Sequence, residues 1–210
     1  MTHEHVDHIH PPSYGPLLDA EDGTLYAPEA SFSQPDYDGD MQAPQDQRSI
    51  IEAGDVFEVG DLTVRVRDAN DPDAIEPVSF VVEQDSRTFF HAGDSRPAEV
   101  FGEIGREFDI IVGALALGSV GNIYDPDTDT TKPTRWYNDE NQVIEAARTL
   151  RVTRLLPSHW DMWRGVGADP TALYYHLATY EYLRLLEVVT IGDRIDVEEP
   201  GIVQSRTLHG

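Results

Sequence analysis

Three histidines and an aspartate, all able to ligate a metal, crowd into the first eight residues in His3-Glu4-His5-Val6-Asp7-His8, of the form H-x-H-x-D-H. No other feature constrains the fold as tightly. Imidazoles and carboxylates at this density are costly to bury unless they share a partner. In an extended segment His3 and His5 point the same way, so two imidazoles can grip one cation. Asp7 and His8 follow where the chain turns and can face a second ion beside the first. The competing reading is a His-rich tract without defined structure. A two-cation site needs more than four protein ligands, so the others must come from distant loops.

Two later segments qualify. Gly93-Asp94 follows an apolar run; glycine there allows close backbone approach, and the carboxylate can bridge two cations. His159 stands directly after Leu155-Leu156-Pro157, again at the end of a strand-like stretch. Taken singly, each also fits ordinary structure, a strand-end turn for Asp94 and a half-buried histidine beside Trp160 for His159. Together with the opening box they form a pattern. Arg96, Arg135, Arg164 and Lys132 lie near the same loops. Of these, Arg96 and Arg135 are the candidate substrate-binding cations, the alternative being arginines paired on an acidic surface. Glu4 and Asp161 could orient the histidines from behind, or be solvated acids.

The hydropathy pattern gives an α/β layered domain. A short helix is expected over residues 11–20 and a strand over 24–28, followed by a loop from 33 to 48. Two hairpins come next, 56–59 with 62–67 around Gly60-Asp61, and 78–83 with 87–90 around Asp85-Ser86. A buried strand is expected at 109–115. Residues 118–138 read as an aperiodic loop of the length often used to cover an active site. A helix over 139–150 leads to a strand at 152–157. Asp169-Pro170 is a cap-then-proline start for a helix to about 186, and strands over 188–191 and 195–197 close the chain.

Composition narrows the function classes. With 210 residues, 40% of them hydrophobic, the chain suits one globular domain. It has no cysteine, which removes disulfides, thiolate metal sites and a Cys nucleophile; with no apolar span or leader-like start, a cytoplasmic protein is expected. Against 39 acidic residues stand 15 basic ones, a formal charge of −24. Such a field repels phosphate backbones and anionic lipid, so neither nucleic acid nor a membrane is expected as partner. The spread of acids suits a solvated, halophilic-like surface.

The H-x-H-x-D-H box, His91-Ala92-Gly93-Asp94-Ser95 and Pro157-Ser158-His159-Trp160-Asp161 resemble the metallo-β-lactamase superfamily. The likeness is nearest to its L-ascorbate-6-phosphate lactonase branch and runs to about residue 197. It implies an αββα sandwich with the site at one edge of two packed sheets. It also implies two divalent ions, Zn or Mn, with His3 and His5 on the first, Asp7, His8 and His159 on the second, and Asp94 bridging. Three departures accompany it. The box begins at residue 3, where the family places several strands before it, so 1–210 reads as a single domain lacking its first strands. The stretch 67–72 before the 78–90 hairpin, where the superfamily often supplies a further first-metal histidine, holds none, so Asp71 or Asp68 is left to complete the first metal. The stretch 122–138 differs from the branch pattern.

The resemblance implies a metal-dependent hydrolase acting on a lactone or ester of a small, in one form phosphorylated, metabolite, with Asp7 at the reacting centre. No G-x-S-x-G segment competes for that role. A small-molecule phosphodiesterase of the same superfamily and an inactive truncated remnant are the alternatives. The expected partner is a small-molecule substrate, and self-association into a homo-oligomer is left open.

Overall fold

The computed structural model describes residues 1–21, 23–33, 43–118, 120–125, 128–135, 137–161, 167–179, 185–190 and 192–198; for 20, 21, 120, 121, 123–125, 134, 135 and 185 it describes the backbone alone. In chain order the first elements are α1 (Pro11–Glu21), β1 (Leu25–Ala27), α2 (Glu29–Phe32), β2 (Arg48–Ile50), β3 (Val56–Val59), β4 (Leu62–Asp68), β5 (Val78–Gln84) and β6 (Arg87–His91). They are followed by α3 (Glu99–Glu107), β7 (Val112–Ala116), β8 (Val120–Asp125), β9 (Thr130–Arg135), α4 (Glu140–Leu150), β10 (Arg154–Ser158), α5 (Leu173–Thr179) and β11 (Leu185–Leu186).

Both expected hairpins form. Val59 pairs with Leu62 across Gly60-Asp61, and Gly60 takes φ +63°, which a tight turn assigns most cheaply to glycine. Gln84 pairs with Arg87 across Asp85-Ser86, with Asp85 at φ 53°. These antiparallel strands continue into parallel ones, giving a seven-stranded sheet in the order β11-β10-β7-β6-β5-β4-β3. Helices α3, α4 and α5 supply Phe101, Ile104, Val143, Leu150 and Leu173 to a core built on Phe90, Leu115 and Leu155. The α4 stripe holds because Asp139 caps it in a reciprocal box with Gln142.

The opposite face of the sheet carries Val66 and Val78, packed against Ile51 and Tyr26. Above it lies a second, small sheet, β1 parallel to β2, tied to α1 by Gln47 Nε2 donating to the Leu18 carbonyl. The layering is thus helix, sheet, sheet, helix, with the first sheet holding two strands among the described residues.

Several expectations are corrected. The stretch read as an uninterrupted loop contains an antiparallel ribbon, β8 with β9; Gly121 and Pro133 break the periodicity that would reveal it. Residues 99–107, given no element from the sequence, form α3. Of the helix expected to reach 186, the described residues form a turn of 3-10 helix (Pro170–Ala172) and then α5, while 180–184 lie outside the described residues; the last described strand is β11, two residues on β10's flank. Residues 188–190 and 195–197 are not strands, having no sheet neighbour. Arg48–Ile50, at the end of the expected loop, is a strand. No helix of the described residues is long and apolar enough to cross a membrane.

Candidate metal centre

The topology decides where the site sits. Strands β6 and β10 run parallel on either side of β7, so their carboxyl ends open on one edge of the sheet. Antiparallel β5 begins at that same edge, and the connection from β4 to β5 crosses it. Ligands of open α/β sheets collect outside the carboxyl ends of the strands. Asp94 follows β6, His159 follows β10, Asp71 lies in the connection before β5, and the box is pinned there by Val78 N–H donating to the Thr2 carbonyl, 2.8 Å.

The box bends over His3–His5, where an extended segment was expected, and turns over Val6–His8, as expected for Asp7 and His8. His8 N–H and Ile9 N–H both donate to the His5 carbonyl, at 2.9 and 3.1 Å, which folds His8 back over His3 with ring centroids 3.9 Å apart. His3 and His5 still converge, Nε2 to Nδ1 at 2.9 Å. The turn supplies what an extended box could not, a histidine from its end beside one from its start.

Two groups result, each with its ligand atoms within 4.8 Å of one another: His3, His5, Asp71 and Asp94, and Asp7, His8, Asp94 and His159. Asp94 belongs to both. Its Oδ2 is 3.7 Å from His3 Nε2, and its Oδ1 lies 3.2 Å from His8 Nε2 and 3.1 Å from His159 Nε2. Asp71 Oδ2 stands 3.7 Å from His3 Nε2 and 3.8 Å from His5 Nδ1, so of the two aspartates read as stand-ins for a histidine it is Asp71 that reaches the group. Asp68 sits on the exposed end of β4, outside both groups. Left-handed backbone presents the two distant ligands: Gly93 at φ +59° before Asp94, and His159 itself at φ 61°, uncommon for a residue with a Cβ.

Charge and burial work against each other here. Burial lifts the Asp94 carboxyl, but the close His8 and His159 rings outweigh it and hold the group below the usual carboxylate value. Asp71 is pushed up, by burial first. His3 is pushed down to about 3, by burial and then by the charge of His8. His159 is lowered, chiefly by burial, whereas His8 is raised because Asp94 overcomes its burial.

Whether these residues fit a pair of cations can be tested on the chain alone. Asp7 Oδ2, Asp71 Oδ2, Asp94 Oδ1 and His8 Nε2 are buried without an aligned hydrogen-bond partner among the described residues. Leaving such atoms unpaired costs about 1–3 kcal/mol each, more when charged, and these four lie in the two groups that share Asp94, where a cation in each would compensate them. Imidazole nitrogen with carboxylate oxygen suits Zn²⁺, Mn²⁺ or iron. The residues fit.

Around the groups lies a cavity of about 560 Å³ whose walls include Val6, Ile75, Tyr137, Asp73 and Arg96. Arg96 is half-buried there, and its guanidinium meets no carboxylate among the described residues. Arg135 ends β9, but its side chain lies outside the description, as does Arg164; Lys132 is on the exposed side of β9. Glu4 is buried and accepts from Ile75 N–H at 2.8 Å, so it braces the Asp71-bearing loop, and its carboxylate takes no hydrogen bond from a histidine among the described residues. Asp161 is exposed. The sequence reading missed Asn138, buried, whose Nδ2 donates to the Ser95 and Ala116 carbonyls at 2.9 Å each and ties the Asp94 loop to β7.

Fold and site define an αββα domain in which two cation-competent His/Asp groups share one carboxylate. The chain belongs to the metallo-β-lactamase superfamily, the model of the beta-lactamase superfamily domain matching residues 1–160. It is similar to "Probable L-ascorbate-6-phosphate lactonase UlaG" of Salmonella gallinarum, 25% identical over 190 residues, covering 80% of this chain and 50% of that protein. The chain thus spans about half the length of the curated relatives it matches. Among solved structures it resembles Igni18, a metallo hydrolase from Ignicoccus hospitalis, with TM-score 0.68 and 18% identity over 92% of this chain and 76% of that one. It also resembles CmlA, a diiron beta-hydroxylase from Streptomyces venezuelae, with TM-score 0.61 and 14% identity over 90% of this chain and 42% of that one. These two likenesses concern the fold alone.

Proposed function

We propose that this chain is a metal-dependent hydrolase that opens a lactone or ester of a small anionic metabolite. The observation that carries the reading is Asp94, one buried carboxylate within reach of both His/Asp groups. His3, His5, Asp71 and Asp94 would hold one divalent cation, and Asp7, His8, His159 and Asp94 the other. When bound, such a pair supplies a water of near-neutral pKa and polarises a carbonyl. Zinc and manganese are the proposed metals.

The chain's own residues do the rest. Asp94 keeps its negative charge across the working pH range and so ties the two halves of the site together. Asp7, with Oδ2 buried and 3.8 Å from His8 Nε2, orients the attacking water and takes its proton. Arg96 faces the cavity beside the groups and clamps the substrate's anionic end, bidentate if that end is phosphate or carboxylate. Val6 and Ile75 give the carbon skeleton an apolar wall. The likeness to a protein named as a lactonase supports the choice of carbonyl substrate.

The test is metal content and turnover together. Purified protein should hold two divalent ions per chain and hydrolyse members of a panel of lactones, aryl esters and phosphodiesters. Asp94→Ala should lose both ions and activity. Arg96→Ala should raise KM for anionic lactones by about 10- to 100-fold, the worth of a charged hydrogen bond, with kcat little changed. Turnover of every substrate surviving exhaustive chelation would overturn the reading; hydrolysis of phosphodiesters alone would overturn the choice of substrate.

A further inference from the structure

Thr2 lies outside both His/Asp groups yet touches each of them. Its Oγ1 is 3.0 Å from His3 Nδ1 and 2.9 Å from His8 Nδ1, so one hydroxyl serves a histidine of the first group and one of the second. The residue is 5% exposed and held at several points. Its carbonyl accepts from Val78 N–H, and its side chain fills the space beside Gly93, where an added Cβ would lie 3.0 Å from Thr2 Cβ. Thr2 is thus wedged between the box and the turn that presents Asp94.

Proton counting gives this contact a direction. A hydroxyl has one proton and two lone pairs, so it cannot donate to both rings. His3 and His8 turn Nε2 toward Asp94, at 3.7 and 3.2 Å. A ring that offers the Nε2 lone pair to a cation while neutral must carry its proton on Nδ1. Both Nδ1–H groups then donate to Thr2 Oγ1, which accepts twice.

We infer that Thr2 is a positioning residue for both halves of the site, its hydroxyl fixing His3 and His8 as Nδ1–H tautomers with Nε2 aimed at Asp94. The inference rests on the metal-binding reading above. Val in place of Thr keeps the branched shape beside Gly93 and removes the acceptor; Ser keeps the acceptor and removes the methyl.

The experiment uses the full chain loaded with Zn²⁺. Long-range ¹H–¹⁵N spectra of the wild type should show His3 and His8 both protonated at Nδ1; either ring found protonated at Nε2 overturns the inference without any variant. Chelator competition should show Thr2→Val weakening Zn²⁺ binding by about 10- to 100-fold in both sites, the usual range for a lost hydrogen bond behind a ligand, with Thr2→Ser binding like wild type. Equal affinities for Thr2→Val and wild type, or a Thr2→Ser variant as weak as Thr2→Val, would assign Thr2 to packing alone. Wild type that takes up no Zn²⁺ would overturn the site reading itself, a result distinct from a wild type that binds two ions indifferently to position 2.

Discussion

Burial of imidazole sets the acid behaviour of the metal-free protein. His3 is pushed from 6.5 to about 3, by burial first and the charge of His8 next, and His91 to about 4, by burial and then His159. His91 Nδ1 accepts from Gly93 N–H at 3.0 Å, which a doubly protonated ring could not do. Between the folded and unfolded values the unfolded chain binds the extra proton, so acid favours unfolding there. The contribution of these two rings is complete above about pH 6.5 and is lost as pH falls toward 4 and then 3. His8, raised, works in the opposite sense, its stabilisation being present below 6.5 and lost as pH climbs through its folded value. In chelator, the urea midpoint should therefore drop between pH 6.5 and 4, and His3→Asn should flatten that drop; a wild-type midpoint that held level on acidification would contradict the burial argument. At this scale the sequence was informative where chemistry is carried by residue type. His3, His5, Asp7, His8, Asp94 and His159 stand out because few other roles use such side chains at such spacing. Thr2 and Asn138 do not, since a hydroxyl or an amide acquires its meaning from partners, here His8 and the carbonyls of Ser95 and Ala116, that only the fold brings near.

Among the elements, α3 shows why a helix can hide in a sequence. Gly102 and Gly105 lower its intrinsic propensity by roughly 1 kcal/mol each relative to alanine, so Glu99–Glu107 lacks a strong local signal. Gly105 is there for packing: an added Cβ would lie 2.4 Å from the Thr149 carbonyl oxygen and 2.9 Å from the Leu150 backbone of α4. Gly102 is different, its Cβ meeting only the flexible end of Arg106 at 3.4 Å and a Thr149 methyl at 3.8 Å. Propensity alone predicts that both substitutions to alanine stabilise. With packing included, Gly105→Ala should destabilise by about 1–3 kcal/mol through overpacking, while Gly102→Ala is neutral or gains a few tenths. Denaturant melts of the two variants separate the cases, and matching gains at both positions would mean that α3 and α4 are not in close contact. The hairpins and α4 were legible for the converse reason, since Gly60-Asp61 and the helical spacing of Val143, Ile144, Ala147 and Leu150 state their geometry within a few residues. The β8–β9 ribbon and the order of the parallel strands depend on pairings that no local window contains.

Across the whole molecule the dominant quantity is charge. With 39 acids against 15 bases, most carboxylates have no cation to pair with, whatever the arrangement. The pairs that do form, such as Arg154 with Glu187 at 2.9 Å and Arg65 with Glu83 at 2.6 Å, are partly exposed and worth little individually. Salt weakens these attractions and the far more numerous repulsions together, so its net effect follows the imbalance: screening should stabilise. The Debye length shrinks from about 10 Å at 0.1 M to about 3 Å at 1 M, below typical spacings between surface charges. The melting temperature in KCl should accordingly rise steeply at first and then level off near 1 M. Exchanging exposed acids far from the metal groups for glutamine or asparagine should raise the starting point and shrink the response. Preferential exclusion by salt, acting through surface tension on the apolar core, would instead give a rise that continues linearly beyond 1 M and survives the neutralising exchanges. The shape of the curve and its sensitivity to removed charges thus distinguish the two origins, and a melting temperature that falls with added KCl would show that the scattered ion pairs, few as they are, outweigh the repulsion.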